Sequence, residues 1–173
     1  MSRVANVLDG PTVLDQVWGK RPEYYDVFMS DYTASMRRAD PVLAELCRIR
    51  IAQLVESDFD LSLRFQPARA AGLDEAKIAD LTQYPESERF SERERAALEY
   101  AEQFAIQSSS ITDDDVQRVQ AHLTPEEFVY LTKALGVIDQ FARSNSAFRL
   151  GPADAVPPTM PGFVPAPTNS EDN

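Results

Sequence analysis

The sequence has too few cysteines and histidines for many familiar catalytic and metal-binding sites. Among its 173 residues there is one cysteine, Cys47, and one histidine, His122. A single cysteine excludes an intramolecular disulfide, a Cys-x-x-Cys redox pair and a zinc site built from several thiolates. A single histidine excludes a site with several histidine ligands. We therefore expect no metal and no cofactor.

Positive charge is also scarce, because 17 Lys and Arg face 28 Asp and Glu and give a formal net charge of −11. Nucleic acids and anionic membranes bind clustered positive charge, so we expect neither as a partner. The longest apolar stretches fall well short of the ~20 residues that cross a bilayer. The stretch from Met1 to Leu14 lacks the basic region and apolar run of a secretory signal. The expected location is the cytoplasm.

The sequence is rich in signals that begin helices. Asp40-Pro41, Ser91-Glu-Arg-Glu94 and Thr124-Pro-Glu-Glu127 each precede apolar residues at helical spacing. A similar signal at Ser57 predicts a helix that continues to the glycine at position 72, with Pro67 kinking or ending it. No segment alternates apolar and polar residues beside hairpin turn residues. The sequence therefore predicts an all-α fold of six to eight helices.

The C-terminal segment, residues 151–173, has a different composition. It holds six of the twelve prolines and ends in polar residues. Such a segment buries too little apolar surface to fold alone, so we expect it to be extended or disordered. Docking of its apolar residues Met160, Phe163 and Val164 on a neighbouring subunit stays open as an alternative.

Three segments resemble one known family. They read DPVLAELCRIRIAQL from residue 40, ARAAGL from residue 68 and SERERAALEYA from residue 91. With residues 128–148, they are similar to the carboxymuconolactone decarboxylase/alkylhydroperoxidase D-like (AhpD-like) family. The resemblance implies an AhpD-like helical core over roughly residues 37–150, after an N-terminal helical extension (1–36) and before the Pro-rich tail (151–173). It also implies a homo-oligomer, most often a trimer or a hexamer.

The resemblance further implies which residues occupy the family's reactive positions. In the peroxidase branch a glutamate is followed by a Cys-x-x-Cys pair and then by a histidine. On this chain Glu45 matches the glutamate, Ser57 and Asp60 fall at the two cysteines, and Arg64 falls at the histidine. Thiol peroxidase chemistry needs a thiolate and a resolving thiol, which these residues do not supply. Cys47 lies among apolar neighbours, where cysteine is commonly inert, so we do not expect peroxidase activity.

The remaining residues suggest acid/base chemistry. A helix through Ser57 places Asp60 and Arg64 one turn apart on one face, where they can pair. In this hypothesis Glu45 or Asp60 moves a proton, Arg64 holds a substrate anion and Ser57 contributes a hydroxyl. The predicted activity is that of a cofactor-free lyase, decarboxylase or isomerase acting on a small organic acid or lactone.

A structural interpretation of the same residues stays open. Ser57 and Asp60 form a capping-box pattern, and Asp60 with Arg64 is then an ordinary surface pair. Glu45 can pair with Arg48 or with the arginine at position 50. The alternative function is a non-catalytic, oligomeric binding or scaffold member of the family. Residual hydroperoxide reduction is a third, weaker possibility.

Overall fold

The computed structural model describes residues 2–5 and 7–167. Residues 168–173 of the predicted tail lie outside this part of the chain. The described residues form nine α-helices, two short 3-10 helices and one two-stranded sheet. The all-α prediction is confirmed. The helix number exceeds the predicted six to eight because several helices have only four to six residues.

The long helices begin where the capping signals lie. The α-helices in chain order are α1 (Val13–Trp18), α2 (Pro22–Arg38), α3 (Pro41–Leu54), α4 (Asp58–Leu61), α5 (Gln66–Ala70), α6 (Glu75–Ala79), α7 (Glu92–Gln107), α8 (Asp113–Gln120) and α9 (Pro125–Phe148). The strands are β1 (Leu63–Phe65) and β2 (Phe163–Pro165), and the 3-10 helices are Leu81–Gln83 and Ser108–Ser110. The Asp40 side chain accepts hydrogen bonds from the first turn of α3. Ser91 and Thr124 complete capping boxes at α7 and α9.

Helix α3 lies at the centre of the molecule. It packs against α2, α4, α7 and α9, and nine of its fourteen residues are buried. A helix buried on nearly all sides belongs to the interior of a fold. Two of the nine are Glu45 and Arg48, so this helix carries charged side chains into the core.

Helix α9 is the longest helix, with 24 residues, and packs on α2 and α3. Its first turn carries Glu126 and Glu127, and Asp139 and Arg143 pair farther along it. Among residues 2–5 and 7–167, no helix combines the length and the apolar character needed to cross a bilayer.

The continuous helix predicted to start at Ser57 does not form. Helix α4 ends after four residues, and the chain then enters β1, which pairs antiparallel with β2. Pro67 lies in the first turn of α5, where its missing N–H costs no helical hydrogen bond. The prediction that Asp60 and Arg64 share a helix face is therefore wrong, because Arg64 lies in a strand.

Residues 151–167 pack against the core of the same chain. Met160 is 1% exposed and Phe163 is 5% exposed. Besides the strand pairing, the backbone N–H of Gln66 donates to the carbonyl of Gly162 at 2.7 Å, and that of Ala166 donates to Ser62 at 2.8 Å. Met160 and Phe163 are thus buried within their own chain, while Val164 is half-buried.

We predict that Phe163→Ala lowers the free energy of unfolding by about 3–5 kcal/mol, the usual cost of removing a buried phenylalanine. The ring lies 5.1 Å from Phe65 and 6.1 Å from Tyr32, centroid to centroid. Val129→Ala is the control, because Val129 is 63% exposed and should change stability by about 0.5 kcal/mol or less. Urea denaturation measures both, and equal losses would contradict the buried placement of Phe163.

Candidate functional site

A fully buried ion pair lies at the centre of the candidate site. Arg48 and Glu45 are one turn apart on α3, and 1% or less of either side chain is exposed. Arg48 Nε donates to Glu45 Oε2 at 2.6 Å, and Arg48 Nη2 donates to Oε1 at 2.8 Å. Burial lowers the pKa of Arg48, but the charge and hydrogen bonds of Glu45, together with smaller effects of Tyr32 and Asp60, raise it overall. Of the two pairings expected for Glu45, the structure forms this one.

The same two side chains bind the backbone of neighbouring elements. Arg48 Nη1 donates to the carbonyl of Asp60 at 2.6 Å, and Nη2 donates to that of Leu63 at 2.8 Å. Glu45 Oε1 also accepts the N–H of Phe65 at 2.9 Å. The charges are therefore paired and hydrogen-bonded, as burial in an apolar core requires.

Asp60 is the second buried carboxyl group. Its Oδ2 accepts hydrogen bonds from Ser57 Oγ at 2.6 Å and from Asn145 Nδ2 at 3.0 Å. Its Oδ1 lies 4.0 Å from Arg48 Nη1. Burial raises the pKa of Asp60, while Arg48 and the two hydrogen bonds oppose the increase without cancelling it. Asp60 thus holds a proton at a higher pH than an exposed aspartate does.

Ser57 does not cap helix α4. Its side chain makes no capping hydrogen bond, since its hydroxyl donates to Asp60 instead. The capping-box interpretation of Ser57 and Asp60 is therefore wrong. Both residues belong to a buried polar cluster, which we define as Glu45, Arg48, Ser57, Asp60 and Asn145.

Arg64 lies beside the buried polar cluster but binds a different carboxylate. Its Nε and Nη2 donate to the carboxylate of Glu75 at 3.1 Å, so the predicted pairing with Asp60 is wrong. Its Nη1 donates to the carbonyls of Leu61 and Leu63 at 2.9 Å. The Leu63 carbonyl therefore accepts hydrogen bonds from both Arg48 and Arg64. It connects the hydrogen bonds of one arginine to those of the other.

Trp18 and Tyr32 belong to the site but were not among the predicted site residues. Trp18 Nε1 donates to Asn145 Oδ1 at 3.0 Å and so orients the amide toward Asp60. The buried Tyr32 hydroxyl has no hydrogen-bond partner among the described residues. Burial raises the pKa of Tyr32, and Arg48 opposes this. The sequence did indicate a pairing of Arg48 with Glu45, because Arg48 follows Glu45 by three residues on a largely apolar helix.

A surface cleft of about 760 Å³ lies next to the buried polar cluster. Glu56 and Asp58, the chain neighbours of Ser57, line it, as does Ser146, the neighbour of Asn145. The other lining residues are Arg3, Leu54, Val55, Arg143, Ala147, Arg149, Leu150 and Gly151. Ser57 and Asp60 themselves are buried and do not line the cleft.

The carboxylates of the site are not arranged to hold a metal ion. Within residues 2–5 and 7–167, no three His, Cys, Asp or Glu side chains are grouped closely enough to bind one. Glu45 and Asp60 instead lie on two sides of the Arg48 guanidinium, a permanent cation. What this arrangement can do chemically is transfer a proton and hydrogen-bond a substrate.

We predict that Arg48→Met lowers the free energy of unfolding by about 3–5 kcal/mol, because it leaves the Glu45 charge buried without a partner. Adding Glu45→Gln should recover part of this loss, since the neutral amide can still accept from the Phe65 N–H. Arg89→Met is a matched control because its pair with Asp80 is exposed, and it should cost about 1 kcal/mol or less. Denaturant titration measures the free energy of unfolding of the three variants. A double variant less stable than Arg48→Met would contradict the predicted recovery.

We also predict that Cys47 is unreactive in the folded protein. Its side chain is fully buried, and burial, with a smaller effect of Asp40, raises the pKa of Cys47 to about 12. Almost no thiolate forms at neutral pH, and the thiolate is the reactive species. Ellman's reagent should react with Cys47 only after unfolding in guanidinium chloride. Rapid reaction of the native protein, or hydroperoxide turnover lost in Cys47→Ala, would disprove this prediction.

Two curated proteins have related sequences. The uncharacterized protein YnjA of Escherichia coli strain K12 is 30% identical over 133 residues, covering 75% of this chain and 73% of YnjA. The uncharacterized protein YdfG of Bacillus subtilis strain 168 is 31% identical over 104 residues, covering 60% of this chain and 71% of YdfG. No family model matches the sequence.

Two solved structures share the fold. One is a protein of unknown function from Agrobacterium tumefaciens with a suggested role as the antioxidant defence protein AhpD. Its TM-score is 0.67 at 24% identity, over 77% of this chain and 93% of that one. The other is the debrominase Bmp8 in complex with 2,3,4-tribromopyrrole, with a TM-score of 0.64 at 16% identity, over 78% of this chain and 73% of that one. At these identities the likeness establishes the fold and not the activity.

Cys47 is the only cysteine in the sequence. The chain belongs to one family with YnjA and has the fold of the carboxymuconolactone decarboxylase/AhpD-like family, without a Cys-x-x-Cys pair.

Proposed function

We propose that the protein is a cofactor-free enzyme that moves a proton on a small organic acid or lactone, as a lyase, decarboxylase or isomerase. The observation that carries this proposal is the buried Asp60 carboxyl, whose pKa is raised and which is hydrogen-bonded to Ser57, the chain neighbour of the cleft residues Glu56 and Asp58. A carboxyl of raised pKa is a stronger base when ionised and a proton donor over a wider pH range.

The proposed proton transfer runs through Ser57. Ser57 Oγ takes a proton from the carbon next to a substrate carbonyl, while its own proton passes to Asp60 Oδ2. The electron pair of the broken C–H bond forms an enolate, and return of the proton to a second carbon completes an isomerisation. In a decarboxylation the flow is reversed, because the carbanion left by departing CO2 takes a proton from Ser57, and Ser57 is reprotonated by Asp60.

Glu45 and Arg64 have supporting roles in this proposal. Glu45 fixes Arg48, which holds the Asp60 backbone carbonyl and lies near its carboxyl group. Arg64 is bound by Glu75 and by the carbonyls of β1 and α4, so it orients the segment after Asp60 rather than binding the substrate. Glu45 and Arg64 are therefore positioning residues. The side chains of the cleft bind the substrate anion.

We further propose a homo-oligomer, a trimer or a hexamer, in the cytoplasm. Large apolar side chains are exposed at Val27, Ile106 and Val129, each more than 60% accessible in the single chain. Their burial between subunits would stabilise an assembly. The unpaired Cys47 suits a reducing compartment. Size-exclusion chromatography with light scattering gives the subunit number.

A non-catalytic binding or scaffold protein is the second candidate. The observation that favours this candidate is the set of hydrogen bonds to Glu45. Its carboxylate accepts two from Arg48 and one from the backbone of Phe65. A carboxylate held in this way contributes to the architecture of a core without moving a proton. The two candidates differ in whether the cluster exchanges protons with a bound molecule.

We predict that the protein catalyses exchange of substrate C–H for deuterium. A panel of small keto acids, unsaturated acids and lactones in D2O, followed by NMR, identifies the substrate. Asp60→Asn should slow exchange at least 100-fold, within the usual contribution of a general base. Cys47→Ala is the control and should exchange at the wild-type rate.

The pH profile gives a second readout of the same experiment. Exchange by an Asp60 base should increase with pH and level off above the pKa of Asp60, which lies above its ordinary value of 3.8. Melting curves show whether Asp60→Asn is folded. A folded Asp60→Asn protein that exchanges as fast as wild type would rule out this role, and absence of exchange across the panel would favour the scaffold function.

A further inference from the structure

The cleft beside the buried polar cluster is bordered by the ends of two helices. Glu56 follows α3 and Arg149 ends α9, and both line the cleft. Among the described residues, these are the non-glycine residues with positive φ, both at 53°. A left-handed residue commonly ends a helix, and the Arg149 N–H donates to the carbonyls of Asn145 and Ser146 there. The lining of the cleft is thus fixed by where α3 and α9 end.

Positive charge is concentrated in the same cleft. Three arginines, Arg3, Arg143 and Arg149, line it in a chain of net charge −11. Arg143 pairs with Asp139 on α9. The exposed Arg149 side chain forms neither an ion pair nor a hydrogen bond with the described residues. Among the same residues, the side chain of Arg3 donates only to the carbonyl of Ala147, at 3.3 Å. The guanidinium groups of Arg3 and Arg149 thus have N–H donors available to an anion.

The cleft also presents negative charge. Glu56 and Asp58 are exposed, and within the described part of the chain neither side chain is in an ion pair. These carboxylates repel a ligand that carries several negative charges, and they accept hydrogen bonds from an O–H or N–H group. The lining therefore suits a ligand with one carboxylate end and one hydrogen-bond donor.

We propose that this cleft binds a small hydroxy- or amino-monocarboxylate. Its carboxylate is held by Arg149 and Arg3, and its hydroxyl or amino group donates to Glu56 or Asp58. The inference rests on the proposed function, because it names the substrate class of that site. It assigns Arg149 as the residue that selects the anion, a role that the sequence prediction gave to Arg64.

The test measures binding of two monocarboxylates that differ by one hydroxyl. Isothermal titration calorimetry should show that 4-hydroxybutyrate binds the wild-type protein more tightly than butyrate does. Arg149→Gln should weaken 4-hydroxybutyrate binding by about tenfold or more, because a bidentate arginine–carboxylate contact is lost. Glutamine, like arginine, is a non-glycine residue, so the substitution does not change the backbone strain at this left-handed position.

Arg37→Gln is the matched control. Arg37 is exposed on α2, is in no ion pair with the described residues and carries the same charge. It should change the dissociation constant less than twofold. Equal weakening by Arg37→Gln, equal affinity for the two monocarboxylates, or no binding of either would overturn the proposal.

Asp60→Asn separates this inference from the proposed function. The cleft should still bind 4-hydroxybutyrate in that variant, since Asp60 does not line it. Binding with the predicted selectivity but no deuterium exchange by wild type would support the binding site and refute the enzyme. Loss of binding in a folded Asp60→Asn protein would count against a separate carboxylate site.

Discussion

The bidentate pair of Arg48 and Glu45 determines how the elements around α3 are arranged. A guanidinium group in a dry core needs an acceptor for nearly every N–H. Glu45 supplies two, and the carbonyls of Asp60 and Leu63 supply others. The chain leaves α4 after one turn and continues as a strand, and the two carbonyls lie on either side of that change. The acceptors that Arg48 binds are thus found where the expected helix is broken.

The same arrangement explains how a family fold can lose its sulfur chemistry without losing its shape. Ser57 and Asp60, which the resemblance aligns with the two cysteines, are hydrogen-bonded to each other at 2.6 Å. Asn145 donates a second hydrogen bond to the Asp60 carboxyl. The Asn145 side chain in turn accepts a hydrogen bond from Trp18 of α1. The reactive positions have become a buried hydrogen-bond network that α1, α3, α4 and α9 share, and the open cleft beside it faces solvent.

What could be predicted from the sequence was governed by local rules. Capping boxes and apolar spacing act within one or two helical turns, and α3, α7 and α9 begin where these signals lie. The proximity of Ser57 and Asp60 has the same origin. Arg64 could not be placed because its strand pairs with residues about 100 positions later. The contact of Trp18 with Asn145 spans 127 positions, and no periodicity in either segment encodes it.

The strand pairing of β1 with β2 has a consequence for biosynthesis. Phe163 lies with its ring centroid 5.5 Å from the Arg48 guanidinium, so a residue near the C-terminal end covers the ion pair formed on α3. Chains emerge from the ribosome N-terminal end first. Helices α3, α7 and α9 can therefore assemble while the ion pair is still open to water on one side. The contact of Phe163 with the Arg48 guanidinium can form only once residues 163–165 have left the exit tunnel, so we expect the interior to be closed after the helices have assembled.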